Sequence, residues 1–138
     1  MTTPRQRVIF VCTHNSARSQ MAEGMLRAWA GDRFEAFSAG TEATQVRPEA
    51  VDVMREIGID IADHRSETLE PYLGQPFDWL ITVCDDAREA CPTLPGVRAQ
   101  EHWSVTDPST VHGDGRLAAF RTARDDLAAR VRAFIEPR

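Results

Sequence analysis

The sequence predicts an α/β domain built on a four-stranded, open, parallel sheet flanked by helices. Three observations lead there. Short apolar runs alternate with stretches of helical periodicity, glycine or proline punctuates the helix ends, and two of the apolar runs stop at a cysteine. Strands alternating with helices are the mark of βαβ units, whose right-handed crossovers place helices on both faces of a sheet.

The elements follow in order. Val8-Ile9-Phe10-Val11 is a buried strand that stops at Cys12. Residues 19–30 read as a helix, with Met21, Met25, Leu26 and Trp29 at helical spacing and Gly31 at its end. A second short strand covers 34–38 and is closed by Ala39-Gly40. Residues 48–57 form a second helix, Pro48 near its start and Gly58 past its end, with Val51, Met54 and Ile57 as its apolar stripe. A weaker helical turn covers 66–73. Trp79-Leu80-Ile81-Thr82-Val83 is a third buried strand, which stops at Cys84, and 98–102 a fourth. The stretches 92–96 and 107–115 read as loops. Residues 115–135 carry Leu117, Phe120, Leu127, Val131 and Phe134, a long amphipathic helix.

Bulk properties set the frame. The chain has 138 residues, 42% hydrophobic and 27% charged, the profile of one soluble domain over 1–138. No apolar run reaches membrane-spanning length, and the polar first seven residues carry no signal-peptide pattern, so a cytoplasmic location is expected. A net charge of -5 argues against a nucleic-acid partner. It leaves room for a small anion, because a few local donors suffice to bind one. The three cysteines, Cys12, Cys84 and Cys91, are too few and too odd in number for a disulfide framework. By themselves they read as small buried hydrophobes.

Their contexts say more. Ligands bind beyond the carboxyl ends of strands in open parallel sheets. Cys12 and Cys84 each follow a strand directly, so both belong on that rim. The loop Cys12-Thr13-His14-Asn15-Ser16-Ala17-Arg18 leads into a helix, and its N–H groups with the helix N-terminus can wrap an anion. The same positive setting favours a thiolate at Cys12. Arg18 adds a planar fork for two oxyanion oxygens. Ser16 and Ser19 can donate hydroxyls to the thiolate, and Asn15 can brace the loop. A bare Cys-x5-Arg is weak, but its placement between strand and helix makes it specific.

The run from Val11 through Gly24 resembles the phosphate-binding loop and first helix of the low-molecular-weight phosphatase superfamily, and within it the thioredoxin-coupled arsenate reductases. Further matches are Ser38-Ala39-Gly40-Thr41, Pro48-Glu49-Ala50, Thr82-Val83-Cys84, Glu89-Ala90-Cys91-Pro92, Glu101-His102-Trp103 and Asp107-Pro108. The resemblance covers nearly the whole chain. It implies a three-layer sandwich and arsenic detoxification without a cofactor. Cys12 would attack arsenate held by Arg18 and the loop residues Thr13, His14, Asn15, Ser16, Ala17 and Ser19. Asp107 would be the general acid, although an Asp before a Pro often only starts a turn. Cys84 would then attack the Cys12 adduct, and Cys91 would take over the disulfide for reduction by thioredoxin. Were 84–91 one regular helix, the two Cα atoms would stand about 10 Å apart. A disulfide needs roughly 4.4–6.8 Å, so the segment has to be a loop or unwind on oxidation.

Some positions depart from the pattern. Ala17 stands where some relatives carry another cysteine, and His14 where glycine is common. The positions at which some relatives bind potassium correspond to Asn15, Glu23, Ser38, Arg65 and Glu67, and Arg65 would bring its own charge there. His14, His64, His102 and His112 match no zinc-ligand spacing. Two other functions compete. A tyrosine phosphatase would use Cys12, Arg18 and Asp107 alike, but Ser109-Thr110 follow Asp107-Pro108 where those enzymes carry tyrosines, and it has no use for Cys84 and Cys91. A thiol redox sensor would need the cysteines but not Arg18 with Asp107. Mycothiol- or glutathione-using reductases lack the shuttle pair, so thioredoxin is the expected donor and a monomer the expected state.

Overall fold

The computed structural model describes residues 4–84 and 94–136. Four strands, β1 (Gln6–Cys12), β2 (Phe34–Gly40), β3 (Phe77–Thr82) and β4 (Val97–His102), form one parallel sheet in the order β2-β1-β3-β4. Each strand is where the β-branched and aromatic runs predict it, lengthened by one or two residues, except that β3 ends at Thr82, one residue before the expected Val83. The helices are α1 (Arg18–Ala30), α2 (Pro48–Arg55) and α3 (Arg116–Ile135). Pro48 opens α2, whose missing N–H costs nothing in the first turn. The predicted end at Ile57 falls two residues beyond the helix, in a turn that Gly58 closes with φ 79°.

Alternation along β1 divides the core. Val8, Phe10 and Cys12 face one side with Met21, Met25 and Leu26 of α1, Val53 and Met54 of α2, and Phe120, Leu127 and Val131 of α3. Ile9 and Val11 face the other, with Phe77, Leu80, Leu94, Leu69 and Tyr72. Among the described residues, all three α-helices therefore share one face. The second face is covered more thinly, by the one-turn 3-10 helix Glu70–Tyr72, which occupies the weak helical turn read over 66–73. Phe37, Tyr72 and Phe77 meet there edge to face, centroids 5.5–6.0 Å apart. The loop predicted over 107–115 contains two further 3-10 turns, Pro108–Thr110 and Gly113–Gly115. No helix among the described residues is long and apolar enough to cross a membrane.

With β1 central and its neighbours parallel, the carboxyl ends of β1, β2 and β3 open on one rim. Cys12 pairs in register with Gly40, and Val11 with Thr82.

Candidate active site

Cys12 is the last residue of β1 and is buried. Its sulfur lies 2.9 Å from Ser19 Oγ. Asn15 Nδ2 donates to that same hydroxyl at 2.7 Å. The Ser19 hydroxyl can accept from Asn15 and still donate its own proton to the Cys12 sulfur, the polarity a thiolate requires.

Asn15 holds the loop in shape. It has a left-handed backbone, φ 51°, which Asn tolerates better than most residues. Its Oδ1 accepts from Gln20 Nε2 at 2.9 Å and from the Glu67 amide at 2.8 Å. Gln20 Nε2 also reaches the carbonyls of Asn15 and Arg65.

The loop carbonyls are bonded outward. Thr13 O accepts from the Glu42 amide and Thr41 Oγ1, both at 3.0 Å. His14 O accepts from Ser66 Oγ at 3.0 Å, and Ser16 O from the Arg47 amide at 2.8 Å. Across a trans peptide the next N–H points the opposite way. The amides of residues 14, 15 and 17 are thereby turned away from these braces. The first turn of α1 carries no acidic side chain to compete for its amides. Such a ring of N–H groups at a helix start suits a tetrahedral oxyanion.

Arg18, 3% exposed, donates through Nη1 to Val105 O at 3.0 Å. Its Nη2 lies 3.5 Å from Asp107 Oδ2. Asp107 Oδ1 meanwhile accepts from the Ser109 amide at 2.9 Å and from Ser109 Oγ at 2.7 Å. One carboxylate oxygen thus starts the turn, and the other faces the Arg18 guanidinium.

Cys84 is also buried, and neither it nor Cys12 is part of a disulfide. Val83 N donates to Val11 O at 2.9 Å, and Cys84 Sγ lies 3.9 Å from that same oxygen. Val11 O belongs to the peptide group joining Val11 to Cys12, so the Cys84 sulfur lies against the backbone that carries Cys12. Cys91 lies outside the described residues, and so does the geometry expected of 84–91.

Behind the loop, Glu23, Arg27, Ser38, His64, Arg65, Glu67 and Tyr72 line a cavity of about 310 Å³. Arg65 lines this cavity as an exposed residue, and Arg27, one helical turn from Glu23, brings a second positive charge and binds that carboxylate at 2.5 Å. Ser38 Oγ donates to the other Glu23 oxygen, and Asn15 Oδ1 is taken as above. These oxygens are engaged by protein donors and do not fit a potassium cage. His64 Nδ1 meets Gln20 Oε1 at 3.0 Å, and burial holds the His64 pKa below its usual value. Tyr72 OH donates to Glu67 Oε2, and burial with the Glu67 charge pushes its pKa up to about 12. His14 is a half-exposed surface residue 3.8 Å from Glu42. Among the described residues no group of three or more His, Cys, Asp or Glu side chains could hold a metal.

A family model described as low molecular weight phosphotyrosine protein phosphatase matches residues 7–137. The chain belongs to this family. Within the low molecular weight phosphatase family its similarity runs to reductases. It is 41% identical over 131 residues, 94% of each chain, to an arsenate reductase of Halalkalibacterium halodurans. It superposes on a solved arsenate reductase in its phosphate-binding state with a TM-score of 0.82, at 32% identity, covering 96% of this chain and 98% of that one. A thioredoxin-dependent arsenate reductase of Corynebacterium glutamicum matches with a TM-score of 0.74 at 25% identity, over 99% of this chain and 63% of that one.

The structure joins Cys12 to Ser19 and Arg18 to Asp107, and it sets the Cys84 sulfur against the Val11 carbonyl. Sequence reasoning missed the braces Gln20, Arg47, Ser66 and Val105. Gln20 alone carried a local signal, being five residues from Asn15 on the same helix start.

Proposed function

We propose that this protein reduces arsenate to arsenite through a relay of three thiols, as part of arsenic detoxification in the cytoplasm, acting as a monomer. The observation that carries the reading is the second buried thiol. Ester hydrolysis in a phosphatase needs Cys12, Arg18 and Asp107, but nothing in it uses Cys84, whose sulfur lies against the carbonyl of the residue before Cys12.

The steps balance as follows. The Cys12 thiolate forms a bond to arsenic while one arsenate oxygen leaves as water, taking a proton from Asp107. Arg18 and the loop amides hold the remaining oxygens and their charge. Cys84 then attacks the Cys12 sulfur. A sulfur–sulfur bond forms, the sulfur–arsenic bond breaks, and its electron pair leaves with arsenic, which becomes arsenite. Two thiols have supplied the two electrons. Cys91 attacks Cys84, freeing Cys12 and leaving a Cys84–Cys91 disulfide for a dithiol reductant. The thioredoxin-dependent relative supports thioredoxin in that role. Slow hydrolysis of phosphate esters is a by-product of the shared loop chemistry.

The test is a coupled assay with arsenate, thioredoxin, thioredoxin reductase and NADPH. Wild type should turn over, while Cys12→Ser, Cys84→Ser and Cys91→Ser should not. Undiminished turnover in Cys91→Ser would refute the three-thiol relay.

A further inference from the structure

The motif Pro48-Glu49-Ala50 has no role in the chemistry above, yet Glu49 makes a long-range contact. Its Oε2 accepts from Arg116 Nε at 2.7 Å, across 67 residues of chain. Both side chains are largely buried, 29% and 21% exposed. The Arg116 guanidinium also stacks on the ring of fully buried Phe120, 5.2 Å from its centroid. The hydrogen bond from Arg116 holds the Glu49 carboxyl below its ordinary pKa, so the pair is ionised at neutral pH.

The other arm of Arg116 points at the acid loop. Nη1 donates to the carbonyls of Ser109 and Val111, both at 2.9 Å. Ser109 is the residue whose amide and hydroxyl hold Asp107 Oδ1. On the opposite side, Glu49 stands in the first turn of α2, two residues after Arg47, whose amide holds Ser16 O of the oxyanion loop. The contacts close a circuit. They run from Ser16 through Arg47 and Glu49 to Arg116, then through Ser109 to Asp107, and back to the oxyanion loop at Arg18.

We propose that Glu49 and Arg116 are a positioning pair, which fixes the Asp107 carboxylate against the Arg18 guanidinium by tying the acid loop to the helix that braces the oxyanion loop. The pair touches neither the reacting sulfur nor the oxyanion site. It acts through Asp107, and so rests on Asp107 being the proton donor. Lysine cannot replace the arginine, because one ammonium cannot reach Glu49 and two carbonyls in the fixed fork that a guanidinium presents.

A double-mutant cycle tests this. Arsenate turnover is measured for wild type, Arg116→Ala, Asp107→Ala and the double variant, with Glu49→Gln as a milder second probe alone and on Asp107→Ala. Melting curves confirm folding, and Cys12 alkylation by iodoacetamide with protection by phosphate reports the oxyanion loop. Arg116→Ala should lower kcat roughly 10- to 100-fold with KM and alkylation nearly unchanged, since a displacement near 1 Å costs about that much. Glu49→Gln should follow in the same direction with a smaller loss. On Asp107→Ala both substitutions should cost less than about twofold, because the group they position is gone. Equal losses in both backgrounds, or unchanged kcat in Arg116→Ala beside a crippled Asp107→Ala, would overturn the positioning role and leave the function of Asp107 intact. Undiminished turnover in Asp107→Ala would instead overturn the acid assignment and the positioning pair with it.

Discussion

Gly40→Ala is the sharpest test of how the oxyanion loop is held. Gly40 ends β2 in register with Cys12, and its amide and carbonyl are bonded to Glu67 O and the Leu69 amide. A Cβ built on it would stand 2.7 Å from Thr13 O, 2.8 Å from Cys12 O and 2.9 Å from Asn15 N. All three are backbone atoms of the loop, and none can swing aside as a side chain would. A comfortable carbon–oxygen contact begins at about 3.3 Å, so the loop must retreat by roughly 0.5 Å. Overpacking of this kind costs about 1–3 kcal/mol. For a chain of this size that is about 3–12 °C in Tm. Turnover should fall about tenfold, given that a misplacement of roughly 1 Å costs about 100-fold. Gly115→Ala is the control. Its Cβ meets only Val111 Cγ1 at 3.7 Å, ordinary van der Waals contact, and its φ is -82°. Melting curves and arsenate turnover on both variants decide the matter. Wild-type Tm and kcat in Gly40→Ala would refute the close-approach argument.

Three further outcomes follow from the geometry. Asp107→Ala should reduce kcat by about 10²- to 10⁴-fold, the usual contribution of a positioned general acid, measured in the thioredoxin-coupled assay. Tyr72 is the one tyrosine in the chain, so its ionisation can be followed directly by ultraviolet absorbance. The native midpoint should lie near 12 against about 10 in urea. The folded value is raised, so the stability it contributes is complete below about 10 and is lost as pH climbs toward 12, and Glu67→Gln should bring the midpoint down. Arg121 and Arg124 hold exposed Glu56 down at about 2. Its folded value is depressed, so its contribution is present above about 4.5 and fades as pH falls toward 2; the urea midpoints of wild type and Glu56→Gln should converge over that window.

Much of this architecture is legible in the sequence, for stated physical reasons. Val8 to Val11 and Trp79 to Val83 are β-branched and apolar because both faces of a central parallel strand are buried, and Met21, Met25 and Leu26 keep helical spacing because α1 packs on one face. Ends are less visible. Ile57 extends the apolar stripe of α2, but the chain has already left the helix and Ile57 is 37% exposed. Layering also escapes pattern reading, since periodicity says that a helix is amphipathic and not which sheet face it meets. At the site, Cys12 and Arg18 are legible because they stand at a fixed spacing between a strand and a helix, whereas Asp107 is singled out only through the family resemblance. The braces are not, because Glu67 and Arg47 act through backbone amides that any residue but proline possesses. The ion pair of Glu23 with Arg27 is open to sequence reading through their i,i+4 spacing on α1.

The most direct test of the account is a single turnover of Cys91→Ser with arsenate, without thioredoxin, read by arsenite quantification and by mass spectrometry of the non-reduced digest. The account predicts about one arsenite per protein and a disulfide joining the Cys12 and Cys84 peptides. Arsenite formed while Cys12 and Cys84 both remain free thiols would contradict it.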